Sequence, residues 1–358
     1  MNIHEATASY EKWMAAHTRL VASDLEYKHT LMQHSPFEFF RGTFYRWMQL
    51  WGEVCADLNK SPRLLAVGDL HVENFGTWRD VEGRLIWGCN DFDETDTLPY
   101  TLDLVRLAAS AHLATEAEHL AIHRRDASDA VLEGYRDGLE MGGRPYVLGE
   151  HHVWLRRIAL SRLRDPVHFW KRMREQPKWK GPVPVDARRG LESMLPEPGL
   201  PCEVRRRVAG IGSLGHPRIV FLADYHGGAV AREAKALVPS ACVWAGKQRA
   251  TGTLHYEEIV KQSVRVRDPF VRLLDNWVLR RLAPDCSRIA LFMLPTKRDE
   301  ERLLYAMGWE TANIHLGSRT AISHILSDLR KSPGRWLHRA AKAMVKATRR
   351  DWKEWRHA

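Results

Sequence analysis

Two short stretches of the chain carry the residue types that handle phosphate. Asp69 and Asn74 stand five positions apart in Val67-Gly68-Asp69-Leu70-His71-Val72-Glu73-Asn74-Phe75-Gly76, a loop leaving the apolar run Leu64-Leu65-Ala66-Val67. Asp91 lies 17 positions after Asn74 in Asn90-Asp91-Phe92-Asp93-Glu94, where a second apolar run, Arg84-Leu85-Ile86-Trp87, ends. Phosphoryl transfer needs such parts: one Asp orients and deprotonates the acceptor hydroxyl, while an Asn and a second Asp hold the metal that neutralises the phosphates. Hard oxygen donors of this kind suit magnesium without a thiolate or an obligatory imidazole. Asp69 is therefore the candidate base, and Asn74 and Asp91 are the candidate metal ligands.

A third constellation is Gly210-Ile211-Gly212-Ser213-Leu214-Gly215. A dinucleotide-binding reading requires a helix to start here, yet His216-Pro217 and a β-branched run follow. A glycine loop feeding a strand instead lets backbone amides approach phosphates with no Cβ in the way, which points to Gly210, Gly212, Ser213 and Gly215. Lys235, 20 residues after Gly215, lies on the next strand, where a phosphate-anchoring lysine belongs. A helix then carries Glu257 and Glu258, either of which could pair with that lysine.

Gly-Asp-Leu-His-x-x-Asn followed by x-Asp-Phe-Asp resembles the catalytic and metal loops of aminoglycoside and choline phosphotransferases, which share the protein-kinase fold. The resemblance implies that Asp69 is the base, Asn74 a metal ligand, and Asp91 the counterpart of the Asp-Phe-Gly aspartate. Those enzymes usually carry His before Gly-Asp, and here that position is Val67. In kinases the glycine loop and lysine precede the catalytic loop, whereas here they follow it by more than a hundred residues. The expected fold is α+β, protein-kinase-like and two-lobed, circularly permuted so that the helical catalytic lobe opens the chain. The whole chain also resembles a bacterial family known as domain of unknown function 2252. That likeness rests on Ser35-Pro36-Phe37 through Gly42, Gly68-Asp69 through Gly76, Asn90 through Thr95, Asp103-Leu104-x-Arg106-Leu107-Ala108-x-Ser110, Gly212 through Gly215, and Lys235. It supplies no substrate.

The elements that must position these residues fall into four spans. Residues 1–164 read as the helical part with the catalytic and metal loops, interrupted at 35–42 by a turn and aromatic plug and helical again from Tyr100 to about Gly138. Residues 165–205 read as an exposed connector, with seven prolines between Asp165 and Pro201. Residues 206–298 read as a β-rich, nucleotide-gripping section, with strands at 218–223, 229–235, 277–282 and 288–292. Residues 299–358 read as helical, ending in an amphipathic helix whose apolar face holds Trp336, Leu337, Ala340, Ala341, Met344 and Val345. Asp103 and Arg106 read as an ion pair holding loops near the site. Arg41 reads as a brace or a phosphate contact, His71 as the donor of a loop-fixing hydrogen bond or a reacting group, and Asp93 and Glu94 as support for the metal or as solvent-facing carboxylates.

Composition is ordinary for a globular chain, with 44% hydrophobic and 27% charged residues. No apolar run reaches the roughly 18 residues of a membrane span. The five scattered cysteines and the absence of a secretory signal at Met1 point to a reduced, cytoplasmic protein. The net charge of +10, concentrated between Arg330 and Arg356, raises nucleic-acid binding as a rival, though a phosphate-handling site also raises the basic count. Asp69-Leu70-His71 is also an Asp-x-His opening of metal phosphoesterases, but the later Gly-Asp-x-x-Asp and Gly-Asn-His are missing. The expected activity is an ATP- and magnesium-dependent phosphotransferase acting on a small-molecule or protein hydroxyl, with a non-catalytic nucleotide sensor as the alternative.

Overall fold

The computed structural model describes residues 1–149, 151–159, 165–246, 253–286 and 297–357. The chain opens in four helices, α1 (Ile3–Ala15), α2 (Ala22–His34), α3 (Pro36–Gly42) and α4 (Phe44–Val54). The stretch expected as a turn and plug is thus a short helix. Ser35 caps it by accepting the Phe37 and Glu38 N–H groups, and Pro36 sits at the first helical position, where its missing N–H costs nothing. The break between α2 and α3 is real, and Phe37, Phe39 and Phe40 are buried as the aromatic character required.

Strands β1 (Arg63–Ala66), β2 (Phe75–Arg79), β3 (Leu85–Cys89) and β4 (Asp96–Pro99) follow. β1 pairs with β4, so the catalytic-loop segment and the metal-loop segment leave one small sheet side by side. The helices α5 (Tyr100–Glu116) and α6 (Arg124–Glu140) come next, then β5 (Tyr146–Val147), which joins β3 and β2 in a second small sheet. α5 is buried from Tyr100 to Ala114, as its near-continuous apolar sequence demands.

The supposed connector contributes structure of its own. α7 (Val153–Ala159) is followed by α8 (Pro166–Glu175), α9 (Val185–Glu192) and β6 (Glu203–Arg206). β7 (Arg218–Tyr225) and β8 (Gly228–Ala236) form the expected hairpin; α10 (Ala241–Ala245), α11 (Tyr256–Gln262), β9 (Arg272–Leu274) and β10 (Trp277–Leu282) complete this section. The strands make one antiparallel sheet in the order β6-β7-β8-β10-β9. α9 covers one face through Ala187 and Leu191 on Ile219, Phe221, Ala234 and Leu279. α8 covers part of the other through Phe169, Trp170 and Met173 on Val220, Leu222 and Leu282. Prolines at helix starts and between helices therefore punctuate packed elements, where a free excursion had been expected. The strand expected at 288–292 lies outside the described residues.

The chain closes in α12 (Lys297–His315), α13 (Ile322–Lys331) and α14 (Trp336–Arg356). α12 packs on α6 at close range because Gly134 and Gly308 have no side chain; a Cβ on either would come within 2.0 or 2.1 Å of the facing helix's carbonyl oxygen. α14 buries the predicted apolar stripe against α5 and turns most of its basic residues outward. Arg46 pairs with Asp351 at 2.6 Å and Arg349 with Glu116, which ties α14 to the helices before it. The architecture is thus mixed α+β. Among the described residues the five cysteines are free, and no helix is long and apolar enough to cross a membrane.

Candidate functional site

A cleft lies between the first half of the chain and the five-stranded sheet. Asp69, Asn74, Asp91, Asp93, Arg41 and His71 line it from one side, and Gly210, Gly212, Ser213 and Lys235 from the other. Residues 144 positions apart meet here: Lys235 Nζ lies 3.6 Å from Asp91 Oδ1 and also contacts Asp93 Oδ2.

The Asp69 loop is held from beneath by α5. Val67 N–H and Gly68 N–H donate to Asp103 Oδ2 and Oδ1 at 2.8 and 2.9 Å, and Asp103 in turn lies 3.0 Å from His315 Nε2. Three residues further along α5, Arg106 donates from Nε and Nη2 to Asp69 Oδ1 at 2.9 and 2.6 Å. The Arg106 guanidinium is fully buried, stacked 3.7 Å over Phe40, and gives a further hydrogen bond to the Phe40 carbonyl. Spacing of three on a helix puts both side chains on one face, so Asp103 holds the backbone and Arg106 the carboxylate. Gly68 is required where it stands: its φ is +81°, and a Cβ there would lie 2.4 Å from the Glu94 carbonyl oxygen.

Asn74 closes the loop on itself. Its Oδ1 accepts the His71 N–H at 3.1 Å, and its own N–H donates to the His71 carbonyl at 2.8 Å. His71 Nδ1 accepts the Glu73 N–H, and Glu73 pairs with Arg41 at 2.7 Å. His71 thus fixes the loop as an acceptor at Nδ1, where a donor had been expected. The Asn90 N–H donates to the Asn74 carbonyl, which brings the metal-loop segment alongside.

Burial pushes the Asp69 carboxyl above the usual aspartate range and nearby Asp91 adds to this, while Arg106 and Arg41 pull it down. Asp91, Asp93 and the Asn74 amide supply hard oxygens in one cleft, a protein contribution small enough for magnesium that takes its remaining ligands from phosphates and water. Among the described residues no group of three or more His, Cys, Asp or Glu forms a cage for a metal. The donor set fits a cation shared with a phosphorylated ligand.

The glycine loop enters the cleft from β6 and leaves into β7. Gly210 and Gly215 have φ of +75° and +101°, and Gly212 packs so closely that a Cβ would lie 3.2 Å from the Arg41 carbonyl and 3.6 Å from Asp69 Oδ2. Ile211 and Leu214 are buried against Met32, Phe39 and Trp355, and Lys28 donates to the Gly212 carbonyl at 3.3 Å. The loop is therefore anchored to α2, α3 and α14.

Glu257 and Glu258 do not reach Lys235. Glu257 pairs with Lys261 and Glu258 with His255, each at 2.8 Å, because α11 turns Tyr256 and Ile259 inward and leaves its glutamates on the outer face. The acidic partners of Lys235 are Asp91 and Asp93.

Sequence reasoning missed one feature and left another open. Glu94, the last residue of the metal-loop motif and read as metal support or a solvent-facing carboxylate, accepts the Ala241 N–H at 2.7 Å and the Ser240 hydroxyl at 2.9 Å, and burial pushes its carboxyl up to about 7. Glu233 is fully buried on β8, and Arg207, Arg218 and Arg280 lie 3.0, 3.4 and 3.4 Å from its carboxylate. Burial alone would raise Glu233, but the three guanidiniums overcome it and hold the carboxyl at about 2. Arg218 also donates to the Ser213 hydroxyl, so this cluster reaches the glycine loop. A signal was present: Glu233 and Lys235 are two apart on a strand and share a face, and the register sets Arg280 opposite Glu233 and Arg218 opposite Lys235.

An α+β chain with a polar cleft, in which acidic loops face a glycine loop and a buried lysine, is the class that fold and site define. Residues 19–163 match the model of a family described as "Uncharacterized protein conserved in bacteria (DUF2252)". That span holds Asp69, Asn74, Asp91, Asp103 and Arg106 and stops before the glycine loop and Lys235. No curated protein and no solved structure matches the chain.

Proposed function

We propose that the chain is a kinase-like phosphotransferase that uses ATP with magnesium to phosphorylate a hydroxyl-bearing acceptor. The observation that carries this reading is the approach of Lys235 to Asp91, 3.6 Å apart in the cleft that also holds Asp69 and Asn74. The arrangement of the sheet supports it. The glycine-rich loop joins the first and second strands of the five, and the lysine sits on the third, as in protein kinases. The order of the parts along the chain corresponds to a circularly permuted, two-lobed fold.

Lys235 and the amides of Gly210 to Gly212 would bind the phosphates, since the Ser213 and Leu214 N–H groups already donate within the loop, and Asp91 with Asn74 would hold magnesium, which when bound neutralises phosphate charge. Asp69, aligned by Arg106, would accept the proton of the acceptor hydroxyl through the oxygen that Arg106 leaves free, since both guanidinium bonds go to Oδ1.

A non-catalytic nucleotide sensor is favoured by one observation: Asp69 already spends a carboxylate oxygen on a buried Arg106 and lies against Gly212. Both readings share nucleotide binding and differ in transfer. Calorimetry with ATP should show saturable, magnesium-dependent binding by the wild type that is lost in Lys235→Ala and Asp91→Asn. Asp69→Ala should keep ATP affinity within about threefold and lose about 10² or more in turnover, measured as ATP consumption with an acceptor panel. Undiminished turnover in both Asp69→Ala and Asp91→Asn would refute the assignment. ATP binding without any transfer would leave the sensor.

A further inference from the structure

A second cavity lies on the other side of the metal loop. Side chains alternate along Asn90-Asp91-Phe92-Asp93: Asp91 and Asp93 line the cleft, while Asn90 and Phe92 line this second space. Three of its walls are arginines, and rings fix the planes of two of them. Arg265 lies 4.9 Å over Trp78 and 4.8 Å over Phe92, and Arg281 lies 4.2 Å over Phe270. Arg280 reaches the cavity from the Glu233 cluster, where it shares a single carboxylate with two other guanidiniums.

The hydrogen bonding of these arginines is incomplete. Arg265 gives one bond, from Nη2 to the Cys89 carbonyl at 2.9 Å, and Arg281 gives a weak one to Cys286 Sγ at 3.6 Å. Arg265 Nε and Nη1, Arg280 Nη2 and Arg281 Nε are buried without a hydrogen-bond acceptor among the described residues, while Arg280 Nε faces only the shared Glu233 carboxylate at 3.4 Å. Buried, charged N–H groups left unpaired are costly, and an anion is the partner that satisfies several at once. The charge of the walls agrees. Lys261 is neutralised by Glu257 at 2.8 Å, which leaves Arg265, Arg267, Arg280 and Arg281 against Asp268. The carboxylate of Asp268 accepts the Phe270 N–H, and no ion pair joins it to those arginines among the described residues.

We propose that this cavity is a second anion site, which takes a small molecule through a phosphate or pyrophosphate group. Ring-stacked guanidiniums are pre-organised forks, the geometry that phosphate oxygens match in pairs. The site does not require the phosphotransferase reading, because its donors lie outside the cleft and need no metal.

The test is calorimetric titration of the full chain with inorganic pyrophosphate in EDTA, so that magnesium-dependent binding in the cleft is silent. Saturable binding is expected in the wild type, weakening as salt rises. It should persist within threefold in Lys235→Ala, fall at least tenfold in Arg281→Gln, and fall at least threefold in Arg267→Glu. Arg267 is exposed, so its variant decides the matter if the Arg281 substitution prevents folding. No saturable binding to the wild type overturns the proposal. So does binding that is abolished by Lys235→Ala and untouched by Arg267→Glu, which would place the anion in the cleft.

Discussion

Replacing Glu233 with Gln removes the carboxylate on which Arg207, Arg218 and Arg280 converge, while nearly keeping shape. The magnitude follows from the acidity of the group. Folding takes its carboxyl from an ordinary 4.5 to about 2, and at about 1.4 kcal/mol per tenfold in acidity this stabilises the fold by about 3 kcal/mol at neutral pH. A carboxyl held below its unfolded value contributes fully above 4.5 and loses that contribution as pH falls toward 2. At pH 3.5 the unfolded chain has already gained most of a proton, and about 2 kcal/mol remains. The neutral range also agrees with the roughly 3–5 kcal/mol lost when one partner of a buried ionic cluster is deleted. Urea unfolding followed by tryptophan fluorescence suits the measurement, because Trp277 is buried on the neighbouring strand β10. Glu233→Gln should lose about 3 kcal/mol at pH 7 and about 2 kcal/mol at pH 3.5. A loss below about 1 kcal/mol at pH 7, or one that does not change with pH, would refute the claim that three guanidiniums depend on this carboxylate.

Glu94 carries the opposite sign. Its carboxyl rises from 4.5 to about 7, so the native state keeps a proton that the unfolded chain releases, and the wild type loses stability as pH climbs between those values. Glu94→Gln removes that slope, and relative to the wild type it should gain about 1–3 kcal/mol between pH 4.5 and pH 8 in thermal or urea unfolding; parallel pH curves would sink the argument. Gly68→Ala meets the Glu94 carbonyl oxygen at 2.4 Å with φ at +81° and should cost about 3 kcal/mol or more in urea unfolding. Gly83→Ala has a φ of +74° with open space around it and should cost only about 1 kcal/mol. Equal losses at the two glycines would mean that backbone conformation alone, and not the close approach, makes Gly68 necessary.

Much of the local structure was legible because it is written in short-range pattern. Alternation and β-branched runs mark β7, β8 and β10, and apolar spacing marks α5 and α14. The sequence by itself determined which residues carry carboxylates, amide and lysine, and that glycines flank the loop opposite them. Other features depend on partners far along the chain. Ser35-Pro36 can end a turn or cap a helix, and burial of Phe37, Phe39 and Phe40 selects the helix. The proline-rich stretch from Asp165 looks exposed until α8 and α9 find the two faces of a sheet built mostly from later residues. Tertiary structure alone decided that Asp93, and neither Glu257 nor Glu258, meets Lys235, since that depends on which face α11 turns to the core. It also decided that Lys235 faces Asp91. Spacing along the chain carries no information about distance across 144 residues; the antiparallel register of β8, and the Asn90 N–H that ties the metal-loop segment to the Asn74 carbonyl, bring the two side chains into one cleft.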